Sequence, residues 1–425
     1  MTENKEASGS GSILVVGGGI SGLTAALEAA EVGYEVFLVE TNPYLGGRVA
    51  QLNQYFPKLC PPSCGLEINF RRIKENPLIH TFTLAEVAKV EGGPGNYNVS
   101  IKLNPRYINE NCTACSDCVE VCPAERSNEF NFGMDMSKAV YLPFEMAFPT
   151  QYVIDPVACQ GVDCGKCVDV CKYDAIDLEM KEKTIDLQVG SIIWATGWTP
   201  YDATRMDKLG FGQYPNIVTN MMLERMASTN GPTVGAIQRP SDSKGPESVA
   251  FVQCAGSRDE NHLTYCSYIC CMASLKHATY IRERFPDTKI YIFYIDMRAP
   301  GQRYEKFYDK IKEDENVIFI KGKVAEVIEN PDNNNVTVVA ENAVTGEKVR
   351  QEVELVVLAT GMQPTAALSK LPGDLKISEE GFMINDFDKG GMFAAGCANK
   401  PADVVSSNQN ATGMALKAIQ TLVNR

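Results

Sequence analysis

Cysteine carries most of the chemistry this sequence can perform. Cys112-x2-Cys115-x2-Cys118-x3-Cys122-Pro123 is a four-thiol run. Its short spacings let three thiolates wrap one [4Fe–4S] cube and direct the fourth to another. A second run follows at Cys159-x4-Cys164-x2-Cys167-x3-Cys171. By the exchange rule of two-cluster ferredoxins, one cube takes Cys112, Cys115, Cys118 and Cys171, and the other takes Cys159, Cys164, Cys167 and Cys122. The second run has a longer first gap and carries Lys172 where the first has Pro123. Structural zinc is the competing reading, but it prefers two separated cysteine pairs to a four-cysteine run.

A third group, Cys254, Cys266, Cys270 and Cys271, stands where a second dinucleotide module would carry its phosphate-binding glycine turn. The segment Gln253-Cys254-Ala255-Gly256-Ser257-Arg258-Asp259 lacks the three glycines that close approach of a pyrophosphate requires, which argues against a nicotinamide site. Four thiols this close can ligate a non-standard cluster, with His262 as a weaker substitute, or they can be ordinary buried cysteines. Cys60 and Cys64 flank Pro61-Pro62-Ser63, and this three-residue gap is not the C-x-x-C of thioredoxin-like sites.

Gly17-Gly18-Gly19-Ile20-Ser21-Gly22 fits G-x-G-x-x-G, directly after the apolar run Ile13 to Val16 and at the head of the alanine-rich stretch Ser21 to Val32. Gly17 permits the tight turn, Gly19 admits the pyrophosphate and Gly22 allows the helix to pack closely on the strand. Glu40 ends the next apolar run, where a carboxylate can accept from ribose hydroxyls. Gly46-Gly47-Arg48 resembles the element that follows this unit in two-dinucleotide-domain flavoproteins, which implies FAD at the site. Two Ala-Thr-Gly turns, Ala195-Thr196-Gly197 and Ala359-Thr360-Gly361, are similar to those of the same superfamily. The segment Gly396-Cys397 stands where such proteins often carry Gly-Asp facing the flavin.

Several function classes are excluded by composition. A formal charge of −13 without a basic run removes the footprint of nucleic-acid binding and disfavours direct adhesion to anionic lipid, so the expected partners are proteins. No apolar run is long enough to span a bilayer, and Met1 to Ser12 is polar, so a cytoplasmic location is expected. Fifteen cysteines in such a chain point to metal or redox chemistry in place of a disulfide framework. With only His80, His262 and His277, acid–base catalysis has few agents.

The elements that must position these residues follow from pattern. At 425 residues the chain should hold several domains. The pattern predicts an α/β fold with doubly wound parallel sheets and an inserted ferredoxin-like α+β domain, and the resemblance of Gly46-Gly47-Arg48 and the Ala-Thr-Gly turns implies a two-dinucleotide-binding-domain flavoprotein. The expected parts are a first FAD-binding stretch over 1–104, the insert over 105–182, a continuation of the FAD domain with a linker over 183–245, a second Rossmann-like module over 246–362 and a closing FAD part over 363–425.

With these residues in view, the chain resembles the A subunits of heterodisulfide reductases nearly end to end. The resemblance rests on Gly17 to Gly22, the cysteine insert followed by Ala-Thr-Gly, the Cys-Ala-Gly-Ser-Arg-Asp segment from Cys254, the Cys266 to Cys271 group and Ala395-Gly396-Cys397. It implies FAD, several [4Fe–4S] clusters and a ligand role for Cys254, Cys266, Cys270 and Cys271. Ending at Arg425, the chain is similar to the short branch found in quinone-interacting membrane-bound oxidoreductase complexes of sulfate reducers. That branch implies two partners, a membrane quinone-binding subunit together with a second flavoprotein of the same kind. Electrons then pass to or from adenylylsulfate reductase, and the chain is held at the inner face of the membrane by its partners. The alternatives are a methanogen-type heterodisulfide reductase relay and a self-contained NAD(P)H-dependent flavin reductase.

Overall fold

The computed structural model describes residues 11–423, so of the polar N-terminal stretch only Gly11 and Ser12 are within it. Two units emerge, one formed by residues up to 50, 63–198 and 364 onward, the other by 51–62 and 199–363.

The first unit is built on a five-stranded parallel sheet. Strand β1 (Ile13–Val16) lies between β2 (Val36–Val39) and the strand Ser191–Trp194, with Ile79–Phe82 and Met392–Ala394 at the edges. Helix α1 (Ile20–Glu31) crosses from β1 to β2. Ile13, Leu14 and Val15 have no exposed surface, as a parallel strand covered on both faces demands. Each such side chain contributes about 1.5–3 kcal/mol of burial. A three-stranded antiparallel sheet, Ala85–Gly93, Asn96–Leu103 and Lys183–Val189, brackets the insert in sequence.

Within the insert, two short helices, Asp117–Val121 and Lys166–Val170, sit inside the two cysteine runs. A small core of Ile108, Val140, Tyr152, Ile154, Ala175 and Ile176 packs against six of the eight thiols. Tight wrapping of the cysteine loops requires left-handed backbone, supplied by Ala114 and Ser116 in the first run and by Gly161 and Gly165 in the second. The insert is tied to its host through Arg106, whose guanidinium donates to Pro43 O at 2.6 Å and Thr83 Oγ1 at 2.8 Å.

The second unit has its own five-stranded parallel sheet. Its order is Ile217–Thr219, Leu355–Thr360, β3 (Ser248–Ala255), Lys289–Tyr294 and Val317–Lys321. Helix α2 (Cys270–Arg284) follows β3. The expected continuation of the first domain over 183–245 is corrected here: residues 199–245 fold with the second unit, because Ile217–Thr219 pairs in parallel with Val356–Leu358. Residues 51–62, expected in the first domain, also belong to the second unit, where the Asn53 amide donates to Glu224 Oε2 at 2.9 Å. Among the described residues no helix is long and apolar enough to cross a membrane.

Candidate redox-cofactor sites

The glycine fingerprint forms the turn between β1 and α1. Gly17 has φ +110°, and a Cβ there would stand 2.3 Å from Ala195 O. A Cβ on Gly22 would stand 1.8 Å from Gly17 O, so α1 can meet β1 only without one. Above Gly19 the space is open, the nearest atom being Gly47 Cα at 3.8 Å from a Cβ built there. The first turn of α1, opening with Ile20, Ser21 and Gly22, has neither a side-chain cap nor an acidic residue, which leaves it suited to a phosphate.

The other flavin-site residues of this unit converge on the same turn. Gly46 N donates to Gly18 O at 2.8 Å, which brings Gly46-Gly47-Arg48 alongside. Arg48 donates through Nε to Trp198 O at 3.2 Å, and burial pulls its guanidinium below its usual pKa. Ala195 N donates to Val16 O at 2.7 Å, and Thr196 Oγ1 is a buried oxygen without a partner among the described residues. Gly197, with φ +68°, accepts from Thr365 N at 3.2 Å. Gly396 packs so closely on Ser21 that a Cβ would stand 2.0 Å from its Oγ. The Glu40 carboxylate, expected at a ribose, also pins the turn by accepting from Gly18 N at 2.6 Å and Asn42 N at 2.7 Å.

Cys397 is buried, and its thiol donates to Ala402 O at 3.4 Å and lies 3.7 Å from Ser407 Oγ, at the start of the closing helix Val404–Val423. Gly361 lies in the second unit, donating to Ala255 O at 3.0 Å and packed against Ser257, and is thus not among the glycines of the first turn.

An open cradle at Gly19, an orphaned buried hydroxyl at Thr196 and close approach secured at Gly17 and Gly22 fit a dinucleotide. Gly22→Ala is therefore expected to push α1 off β1 and to weaken flavin binding more than tenfold, at least about 1.4 kcal/mol. Flavin content of the purified chain, with intact far-UV circular dichroism, checks this.

The insert brings its thiols together as the exchange rule requires. One hollow is lined by Cys112, Cys115, Cys118 and Cys171, with Tyr152 and Ile176 among its walls. A second is lined by Cys122, Cys159, Cys164 and Cys167. Burial, then the neighbouring Cys112, pushes the Cys118 thiol up to about 12. Burial, then Cys159, likewise raises Cys167. Such thiols ionise when a cation is there to take the charge, which is the condition a cluster supplies. Gly161 N donates to Cys159 Sγ and Ala175 N to Cys171 Sγ, both at 3.4 Å, as donors to cluster sulfurs do. Lys172 donates to Asp117 Oδ2 at 3.0 Å, linking the two halves.

In the second unit, Cys254 lies near the end of β3 in left-handed backbone at φ +57°, and Cys270 and Cys271 open α2. Cys254, Cys270 and Cys271 are buried. Cys266 lies on the connection between β3 and α2, so the four thiols fall at one end of this strand–helix pair, and burial, then the charges of Cys254, Cys271 and Cys266, drive the Cys270 thiol well above its usual value. The turn that would cradle a nicotinamide dinucleotide is filled, since a Cβ on Gly256 would stand 2.4 Å from the Tyr201 ring. His262 is engaged elsewhere, at 2.9 Å from Tyr201 OH through Nδ1. Cys60 and Cys64 are both exposed.

Sequence reasoning missed the polar residues around this locus. Gln253 accepts from the Cys271 thiol, Arg258 pairs with Asp296, and deeper in the unit Glu224 meets Lys276 at 2.5 Å and also His277. The partners lie far apart in sequence, and no spacing signals them.

Comparison with known proteins agrees with this geometry. A family model described as FAD dependent oxidoreductase matches residues 12–58, and one described as 4Fe-4S dicluster domain matches 109–176. An iron-sulfur A subunit of the CoB--CoM heterodisulfide reductase of Methanopyrus kandleri, the second of its kind there, is 41% identical over 421 residues, covering 96% of this chain and 64% of that protein. The chain is a homologue of the heterodisulfide reductase A subunits. The A subunit of the H(2):CoB-CoM heterodisulfide,ferredoxin reductase of Methanothermobacter marburgensis is 38% identical, with 96% of this chain and 64% of that protein covered. The chain thus spans just under two-thirds of the length of these heterodisulfide reductase relatives. The thioredoxin reductase of Lactococcus lactis superposes with a TM-score of 0.53 at 14% identity, covering 97% of this chain and 99% of the other, and shares the two-dinucleotide-domain flavoprotein fold. The two matches and the site geometry agree on FAD and [4Fe–4S] clusters as the cofactors of this chain.

Proposed function

We propose that this chain is the electron-relay subunit of a heterodisulfide reductase-type complex. The observation that carries the reading is the pair of four-cysteine hollows in the insert, each drawing one thiol from the other run. Bound FAD exchanges one or two electrons and each cluster one, so their presence in one chain supports conversion between paired and single-electron carriers. The residues of the chain bind and orient these groups: the Gly17 to Gly22 turn and Arg48 hold the dinucleotide, while Tyr152, Ile108 and Ile176 keep the insert hollow dry.

The proposed partners are a membrane quinone-binding subunit, a second flavoprotein of the same kind and soluble adenylylsulfate reductase, with the chain held at the cytoplasmic face of the membrane by its partners. In a second reading the acceptor is the CoB–CoM heterodisulfide, as the names of the relatives state for those proteins. Anaerobic purification with native partners, followed by flavin, iron and sulfide quantitation, tests the relay. About one FAD with eight to twelve irons, reduced by quinol and not by NADH, is expected. Flavin without iron, bleached directly by NAD(P)H, would overturn it. Reoxidation by CoB–CoM heterodisulfide, and not by adenylylsulfate reductase, would favour the second reading.

A further inference from the structure

The third cysteine locus is more enclosed than the two in the insert. Cys254, Cys270 and Cys271 are buried, whereas the insert thiols are half-buried or, at Cys115, exposed. Reducing a cluster held by four thiolates adds negative charge to a site that is already negative, and a low-dielectric surround resists this. Burial alone would therefore make the third locus the hardest of the three to reduce. Hydrogen bonds to sulfur and nearby positive charge are what offset it.

Two side chains at the locus have the right chemistry. The Gln253 amide is buried, and its Oε1 accepts from the Cys271 thiol at 3.2 Å. Its Nε2 is buried and has no acceptor among the described residues. An orphaned buried donor of this kind is destabilising, so it calls for a partner. A metal ligand is a thiolate, which has lost the proton that Cys271 now donates. Turning the amide about its terminal bond then presents Nε2–H to the sulfur. Arg258, in left-handed backbone at φ +53°, is braced by Asp296 Oδ2 at 2.8 Å, and its positive charge favours the Cys254 thiolate against burial. Around the insert hollows the donors to sulfur are backbone amides of Gly161 and Ala175, and the cation Lys172 is mostly exposed and paired with Asp117.

We infer that Gln253 and Arg258 are positioning residues that set the potential of a cluster at Cys254, Cys266, Cys270 and Cys271, raising it against the effect of burial. The inference rests on reading those four cysteines as a cluster site. Electrons that reach this chain then have a buried acceptor whose poise is controlled separately from the two clusters of the insert.

The test is an electron paramagnetic resonance titration with dithionite on the anaerobically purified chain with its native partners. The centre missing from a Cys270→Ser variant is assigned to the third locus. Gln253→Leu and Arg258→Met are each expected to move the midpoint of that centre to more negative potential while the two insert centres stay in place. Arg258→Lys should restore most of the Arg258→Met shift, because the positive charge returns. Unchanged midpoints in both variants overturn the inference. So does loss of the third centre in Arg258→Lys as in Arg258→Met, which marks a structural role alone. A wild-type chain with only two centres and about eight irons defeats the cysteine reading itself, a result distinct from either of these.

Discussion

Replacing Cys171 by alanine is expected to abolish the cluster of the first cysteine run, more than fifty residues earlier in sequence, and to leave the cluster of its own run in place. Cys171 lines the same hollow as Cys112, Cys115 and Cys118, and its sulfur accepts from Ala175 N on that side. Cys122 lines the hollow of the second run. The single substitution should therefore remove about four irons from the insert, and Cys122→Ala should remove the other four. Double variants settle the pairing. Cys112→Ala combined with Cys171→Ala should lose no more iron than either change alone, since both act on one cluster, whereas Cys112→Ala with Cys122→Ala should empty the insert. Independent effects in the first pair, read by iron analysis and by the resonance signals of the reduced protein, would mean that each run wraps its own cluster. The alternative of two structural zinc sites predicts no iron in any variant.

This grouping of thiols into two hollows was legible in the sequence because the wrapping is local. Three thiols within a few residues can reach one cube, and the fourth, stiffened by the following turn, cannot turn back. The glycine fingerprint was legible for the same reason: Gly17, Gly19 and Gly22 act on the strand and helix that contain them. What the sequence hid depends on distant partners. The strand Ile217–Thr219 is only three residues long and carries no periodicity, so nothing local tells that it joins Val356 to Leu358 in the second unit. Two Ala-Thr-Gly turns look alike, yet Gly197 lies beside the first fingerprint and Gly361 beside Ser257 and the third cysteine locus.

Glu224→Gln is expected to destabilise the chain by about 3–5 kcal/mol, the cost of leaving a buried cation without its counter-charge. Lys276 and Glu224 are both almost fully buried, and their contact at 2.5 Å is joined by His277 on the same oxygen. The other oxygen accepts from Asn53 N and from Tyr280 OH at 3.3 Å, while Lys276 donates to Gln54 O at 2.7 Å. Burial opposes the charge on Glu224, but Lys276 and His277 outweigh it and hold the carboxyl well below the usual carboxylate range. Burial also keeps His277 neutral, with its pKa lowered. Both folded values lie below the unfolded ones, so the unfolded chain binds more protons as pH falls, and both groups stabilise the fold at neutral pH and lose that contribution in acid. Stability should decline first below about 6.5, where the unfolded histidine protonates, and again below about 4.5 toward 2, where the carboxylate does. In Glu224→Gln the second decline should become shallower, leaving the part due to other carboxylates held below their usual range, such as Asp155 and Asp314. Adding Lys276→Met to Glu224→Gln removes the stranded cation and should recover much of the loss, so that the double variant unfolds at a higher temperature than the single one. Strict additivity of the two changes, measured by thermal unfolding of the cofactor-loaded chain, would mean that the pair is not coupled and that the network is held by its hydrogen bonds to Asn53 and Gln54 alone.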